Sequence, residues 1–207
     1  MNNPHVRAAA HGFADAEALP LDLALANAAR VAAAVDVPVT VDFEGAYAVD
    51  PELGAANAAR LAATGAIGCN FEDQVIGGEG LHPLKEQAKR IQAIRDAVGG
   101  AFFINARTDL YLKTQTYDSA LVDEAIDRGK AFADAGASGF FVPRLSDPKQ
   151  IERIVKEVPL PLNVIAFPGA PDKRIWASAG VARISHGPFP HRALMAQLEE
   201  AARAAIA

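Results

Sequence analysis

Six apolar runs of strand length alternate with alanine-rich, helix-periodic stretches along almost the whole chain, and this alternation most constrains the fold. The runs lie at 38–44, 66–73, 101–109, 138–143, 160–167 and 181–187. Helical periodicity covers 21–35, 51–64, 83–98, 118–135, 147–158, 172–179 and 190–206. Runs this apolar are covered on both faces, which implies a parallel sheet with helices outside it. Gly65, Gly136 and Gly180 stand just before strands, where helix C-caps belong.

At 207 residues and 51% hydrophobic, the chain can bury a large core, and no linker divides it. The expected organisation is one domain over 1–207. No G-x-G-x-x-G follows a strand, and polar residues recur at many strand ends rather than at one switch point. Both observations favour a (β/α)8 TIM-type barrel over an open dinucleotide-binding sheet. A barrel of this type needs eight strands, and the sequence supplies about six, with 6–10 expected as the stub of a seventh. The barrel is therefore expected to be incomplete at its N-terminus, lacking the first βα unit.

The net charge of −5, with no basic run, argues against a nucleic-acid partner. A single cysteine excludes an internal disulfide and suits a reducing compartment. No apolar stretch approaches the ~20 residues that span a bilayer, and no signal-peptide pattern opens the chain. A cytoplasmic protein without membrane partners is expected.

Two strands carry the chemistry. Val39-Thr-Val-Asp-Phe-Glu-Gly45 and Ile67-Gly-Cys-Asn-Phe-Glu-Asp73 each end in paired carboxylates. Each is preceded by nearly the same phrase, Asn27-Ala-Ala-Arg30 and Asn57-Ala-Ala-Arg60. The distance from Asn27 to Asp42 equals that from Asn57 to Glu72, so both acids are expected in the same register on neighbouring strands. Alternation puts Thr40, Asp42 and Glu44 on one face, likewise Gly68, Asn70 and Glu72, and likewise Phe103, Asn105, Arg107 and Asp109. Acids are costly to bury unpaired, and oxygen ligands select Mg²⁺ or Mn²⁺. Arg107 beside them suits an anionic substrate, because arginine grips a carboxylate through two parallel hydrogen bonds. The competing reading is a buried ion-pair network that closes the barrel mouth. Asn163 ends its strand in an inward register, compatible with either a substrate contact or a structural cap.

Taken together, DFEGAY over 42–47, GCNFED over 68–73, NARTD over 105–109, PLN over 161–163 and GVARIS over 180–185 resemble the isocitrate lyase/phosphoenolpyruvate mutase superfamily. The resemblance implies an Mg²⁺-dependent barrel that stabilises the enolate of a small 2-oxo or dicarboxylic acid while a C–C bond breaks or forms. Asp42 matches the direct metal ligand, and Glu44 and Glu72 match acids that hold metal-bound waters. Asp15, in GFADAE over 12–17, matches a further acid near metal and substrate. Arg107 matches the arginine that binds the substrate carboxylate, which makes Arg107 and Glu72 the expected catalytic residues. Such relatives often form dimers or tetramers, and the GPFP turn over 187–190 with its following helix is a candidate contact.

The chain departs from that pattern twice. Lyases of the superfamily carry a Lys-Lys-Cys-Gly-His gate, whereas QVIGGEGLHP over 74–83 has no cysteine. Cys69 is expected in the core, facing away from the barrel interior, and His82 and Glu79 as exposed loop residues. Relatives also open with a strand bearing an Asn-x-Trp-Asp-x-x-Ser-Ala-like segment, and this sequence starts after it. Isocitrate or methylisocitrate cleavage is therefore not the expected reaction. The alternatives are a phosphonopyruvate-type mutase or C–C/P–C hydrolase, and a catalytically impaired, truncated barrel. His5, His11 and His191 are expected at the surface, His186 in a turn, and Trp176 in the core.

Overall fold

The structure, a computed structural model, describes residues 4–114 and 116–206. Six strands form one parallel sheet in sequence order: β1 (Thr40–Asp42), β2 (Gly68–Glu72), β3 (Phe103–Arg107), β4 (Gly139–Phe141), β5 (Leu162–Ile165) and β6 (Arg183–Ser185). Helix α2 (Leu21–Ala33) precedes β1, and helices α3 (Pro51–Ala62), α4 (Leu84–Val98), α5 (Ser119–Asp134), α6 (Pro148–Glu157) and α7 (Lys173–Ser178) fill the connections. The helix α8 (Phe189–Ile206) follows β6. Each strand pairs with its sequence neighbour, so the sheet winds in one direction instead of reversing at a switch point. Inside the curl, Arg183 on β6 reaches Thr40 on β1, with Nη2 3.5 Å from Oγ1. The result is a curled half-barrel of six strands.

Local chemistry explains the element boundaries. Asp50, Asp118, Asp147 and Asp172 cap α3, α5, α6 and α7, each side chain accepting a backbone N–H of the first turn. A cap of this kind contributes about 1 kcal/mol. Gly136 and Gly180 are left-handed (φ 91 and 93) and close α5 and α7. Each sits in a Schellman turn, with Ala137 N–H on Phe132 O and Val181 N–H on Trp176 O. The core between sheet and helices holds Phe43, Phe71, Ile91, Ile94, Ile104, Phe132, Phe140 and Trp176, with Cys69 among them as the alternation required.

Two expectations need correction. Residues 6–10 are not a strand stub but part of helix α1 (Pro4–Ala10), because three consecutive alanines favour helix. Equal spacing from the Asn-Ala-Ala-Arg phrases does not put Asp42 and Glu72 in one register. Asp42 pairs with Asn70, and Glu72 donates its N–H to Glu44 O. A curled sheet staggers its register from strand to strand, so equal loop lengths do not give level residues. No helix among the described residues is long and apolar enough to cross a membrane.

Candidate active site

Strand pairing arranges the inward side chains in two rows. Asp42, Asn70, Asn105 and Gly139 are successive register partners, as are Glu72, Arg107, Phe141, Asn163 and Arg183. In the first row Asn105 Nδ2 donates to Asn70 Oδ1 at 2.8 Å. A Cβ on Gly139 would stand 2.8 Å from Asn105 Oδ1, so this position must lack a side chain. Polar rows therefore replace the branched apolar layers that would fill a barrel centre.

Arg107 is the electrostatic centre. Its Nε and Nη2 donate to Asp109 at 2.6 and 2.9 Å, and Nη1 lies 2.7 Å from Glu72 Oε2 and 4.0 Å from Asp42 Oδ2. Burial alone would lower the guanidinium pKa, but Glu72, Asp109 and Asp42 outweigh it and raise it. Burial raises Glu72 well above the ordinary carboxylate range, against the opposing charge of Arg107. Asp42 is likewise raised by burial, with Arg107 and Arg7 opposing. Asp42 Oδ1 is buried with no hydrogen-bond partner among the described residues.

Glu44 follows β1 with a left-handed backbone (φ 53), as do Ala46 (φ 62) and Tyr47 (φ 56). Non-glycine residues in that region are strained and must be held from outside. Glu17 does much of the holding: its N–H donates to Glu44 Oε2 at 2.8 Å, and its Oε1 accepts Gly45 and Tyr47 N–H at 2.9 and 2.7 Å. Arg90 donates to Gly45 O and Ala48 O, and Asn57 to Ala46 O. The second carboxylate oxygen of Glu44 lies 3.8 Å from Arg7 Nη2. Burial, with Asp42, Asp15 and Glu17 adding to it, pushes the Glu44 carboxyl up to about 7.

Beneath Arg107 a fully buried Asp73 accepts Asp109 N–H at 2.9 Å and Arg128 Nη1 at 3.0 Å. Helix α5 thereby anchors the acid that holds the Arg107 fork. Helix α4 anchors Glu72 through Gln87 Nε2 on its carbonyl at 3.0 Å.

A cavity of about 610 Å³ opens at the carboxyl ends of the strands, with Asp15, Asp42, Asn70, Arg107, Arg144 and Arg183 in its wall. Asp42, Asp15 and Arg107 thus meet in one cavity, as expected. Glu44, Glu72 and Asn163 do not line it. Glu72 is turned to Arg107, Glu44 to Glu17 and Arg7, and buried Asn163 exchanges hydrogen bonds with Ser185 at 3.1 and 3.2 Å. The structural-cap reading of Asn163 therefore describes its contacts.

His82 is buried rather than exposed, its N–H bound to Asp73 O, whereas Glu79 is exposed. His5 is half-buried in the cavity wall, 3.5 Å from Asp15, and not a free surface residue. His186, in its turn, also lines the cavity. Sequence reasoning gave no role to Arg7, Glu17, Arg90, Arg128, Arg144 or Arg183. Only Arg183 carried a signal, as the charged residue within an otherwise apolar strand.

Among the described residues no three His, Cys, Asp or Glu side chains gather into a group that holds a metal by itself. The donors present fit a different arrangement. The orphaned Asp42 oxygen offers one direct ligand, and Mg²⁺ keeps several waters or takes substrate oxygens for the rest.

A family model described as phosphoenolpyruvate phosphomutase matches residues 4–206. An uncharacterized protein of Mycobacterium tuberculosis (strain CDC 1551 / Oshkosh) is 34% identical over 166 residues, covering 80% of this chain and 60% of its own length. The 2-methylisocitrate lyase of Vibrio cholerae serotype O1 is 31% identical over 183 residues, covering 79% of this chain and 56% of its own length. The chain thus spans less than two thirds of these curated relatives. Among solved structures, a candidate phosphonomutase from Burkholderia cenocepacia J2315 superposes with a TM-score of 0.91 at 40% identity, over 97% of this chain and 83% of that one. Phosphonopyruvate hydrolase in complex with oxalate and Mg²⁺ superposes with a TM-score of 0.81 at 23% identity, over 96% and 71%, a likeness of fold alone.

Proposed function

The chain belongs to the phosphoenolpyruvate phosphomutase family, and from that premise we propose that it is an Mg²⁺-dependent enzyme that breaks or forms a bond to the carbon beside a 2-oxo acid. The observation that carries the reading is the buried Asp42 Oδ1, without a hydrogen-bond partner among the described residues, in the wall of the same cavity as Arg107. Asp42 would hold the cation directly, whereas Glu44 and Glu72 would reach its waters only by turning from Glu17 and Arg107. The bound cation supplies positive charge to the oxygens of the substrate.

The residues themselves do the rest. Arg107 presents its remaining N–H groups to the cavity, where they bind the substrate carboxylate and offset charge developing on the neighbouring oxygen. Asp109 fixes the plane of that guanidinium by taking two of its donors. Glu72 holds Nη1 and keeps the fork from turning out of line. Preorganisation of this kind means that little needs to move as the charge develops.

A phosphonopyruvate-type mutase or hydrolase is favoured over a cysteine-dependent lyase. The single cysteine, Cys69, is buried in the core, and burial pushes its thiol up to about 12, so no thiol base reaches the cavity. Homo-oligomer formation belongs to the same proposal. It is supported by α8, which buries no residue and exposes Leu194, Met195 and Leu198. A cytoplasmic location is proposed with it.

Turnover followed by ¹H and ³¹P NMR tests the activity. The protein is incubated with 3-phosphonopyruvate, oxaloacetate and 2-methylisocitrate, with Mg²⁺ or with EDTA. The expected result is Mg²⁺-dependent conversion of 3-phosphonopyruvate or oxaloacetate that disappears in Arg107→Met. Conversion that persists in EDTA, or no conversion of any of the three by folded protein, contradicts the proposal.

A further inference from the structure

Arg107 is largely committed to acids of the protein, yet the same cavity wall carries two further arginines that are not. Arg144 lies three residues past the end of β4, directly after Pro143, and Arg183 opens β6. Arg144 makes no hydrogen bond or ion pair with any described residue, and its guanidinium stands 5.9 Å over the Phe167 ring. Its backbone is left-handed (φ 70), a conformation that a non-glycine residue keeps only when its surroundings impose it. Arg183 is half-buried and inward-facing, the register partner of Asn163. Among the described residues it makes one long hydrogen bond to Thr40 Oγ1 at 3.5 Å and feels the more distant charge of Asp42. Burial therefore lowers the pKa of this guanidinium with little to oppose it.

Two cations in one cavity, neither ion-paired with a described acid, leave positive charge that the described residues do not pair directly. Planar guanidinium groups match the oxygens of a carboxylate or phosphonate through paired hydrogen bonds. We propose that Arg144 and Arg183 bind a second anionic group of the substrate, a carboxylate or phosphonate on the carbon next to the 2-oxo carbon. This inference rests on the 2-oxo acid reading above, with Arg107 serving the other end of the molecule. The pair, not Arg107, then sets the requirement for a doubly charged substrate.

Calorimetric titration tests this with three probes of different length: oxalate, 3,3-difluorooxalacetate and 3-phosphonopyruvate, each with Mg²⁺ and with EDTA. Wild type, Arg144→Gln and Arg183→Gln are compared. Each substitution is expected to weaken at least one of the two longer ligands tenfold or more, while oxalate changes less than threefold. The ligand that suffers the loss identifies carboxylate or phosphonate as the anion. Arg144 is exposed, so Arg144→Gln carries the test even if Arg183→Gln does not fold. Equal losses for oxalate and the longer ligands, or unchanged binding of the longer ligands, overturn the inference. So does a folded wild type that binds neither longer ligand. Failure of oxalate alone to require Mg²⁺ overturns the metal reading, whereas selective loss of a longer ligand still supports the arginine pair.

Discussion

Arg107 and Glu72 are register partners on adjacent parallel strands, and their side chains meet at 2.7 Å behind the cavity wall that Arg107 lines. The pair joins the acid that ends β2 to the cation that ends β3 and brings Asp109 and Asp42 into the same field. Replacing Arg107 by Met leaves those carboxylates buried without their main cation. Breaking one side of such a pair costs about 3–5 kcal/mol. Urea denaturation in EDTA is expected to show that loss at pH 7.5 and a smaller one at pH 5, where the stranded acids take up protons. An equal loss at both pH values would contradict the assignment.

Arg128 and Asp73 form the layer below. Arg128→Met is expected to cost about 3 kcal/mol, because Asp73 is fully buried and loses its main counter-charge. Adding Asp73→Asn should recover part of that loss, since an amide oxygen still accepts Asp109 N–H. Strictly additive losses in this double-mutant cycle would show that the two residues act separately.

The raised Glu44 pKa gives a signed pH dependence. The folded state holds this proton up to about 7, well above the ordinary value of a glutamate. Its contribution is therefore fully present below the unfolded value and is lost as pH rises through about 7. Burial also raises Asp73, to about 6, which extends the decline to lower pH. Metal-free protein should lose melting temperature between pH 5 and 8, and Glu44→Gln should flatten the upper part of that curve. Mg²⁺ affinity should rise over the same window, because its ligands must be deprotonated.

Cys69 is 1% exposed, and burial raises its thiol to about 12. It should react with Ellman's reagent only in denaturant, and Cys69→Ala should leave ligand binding unchanged. Rapid modification of the native protein would contradict its place in the core.

Much of this architecture was readable from the chain. Alternating apolar runs located all six strands, and helical periodicity starting at 118, 147 and 172 located α5, α6 and α7. Strand alternation put Asp42, Asn70 and Arg107 on the inner face, where they line one cavity. Register was not readable, because stagger between curled strands depends on packing around the whole sheet. That is why Asp42 pairs with Asn70 and not with Glu72. The left-handed path of Glu44, Ala46 and Tyr47 was also hidden. It depends on Glu17, Asn57 and Arg90, which come from three separate parts of the chain. Arg144 and Arg183 gave little signal for a similar reason: an unpaired arginine in sequence cannot be told from a solvated one.

The most direct measurement is calorimetric titration of wild type and Asp42→Ala with Mg²⁺ and oxalate. The account predicts oxalate binding that requires Mg²⁺, is abolished by EDTA and is lost in a folded Asp42→Ala variant. Oxalate binding of equal strength in EDTA, or unchanged binding in Asp42→Ala, would contradict it.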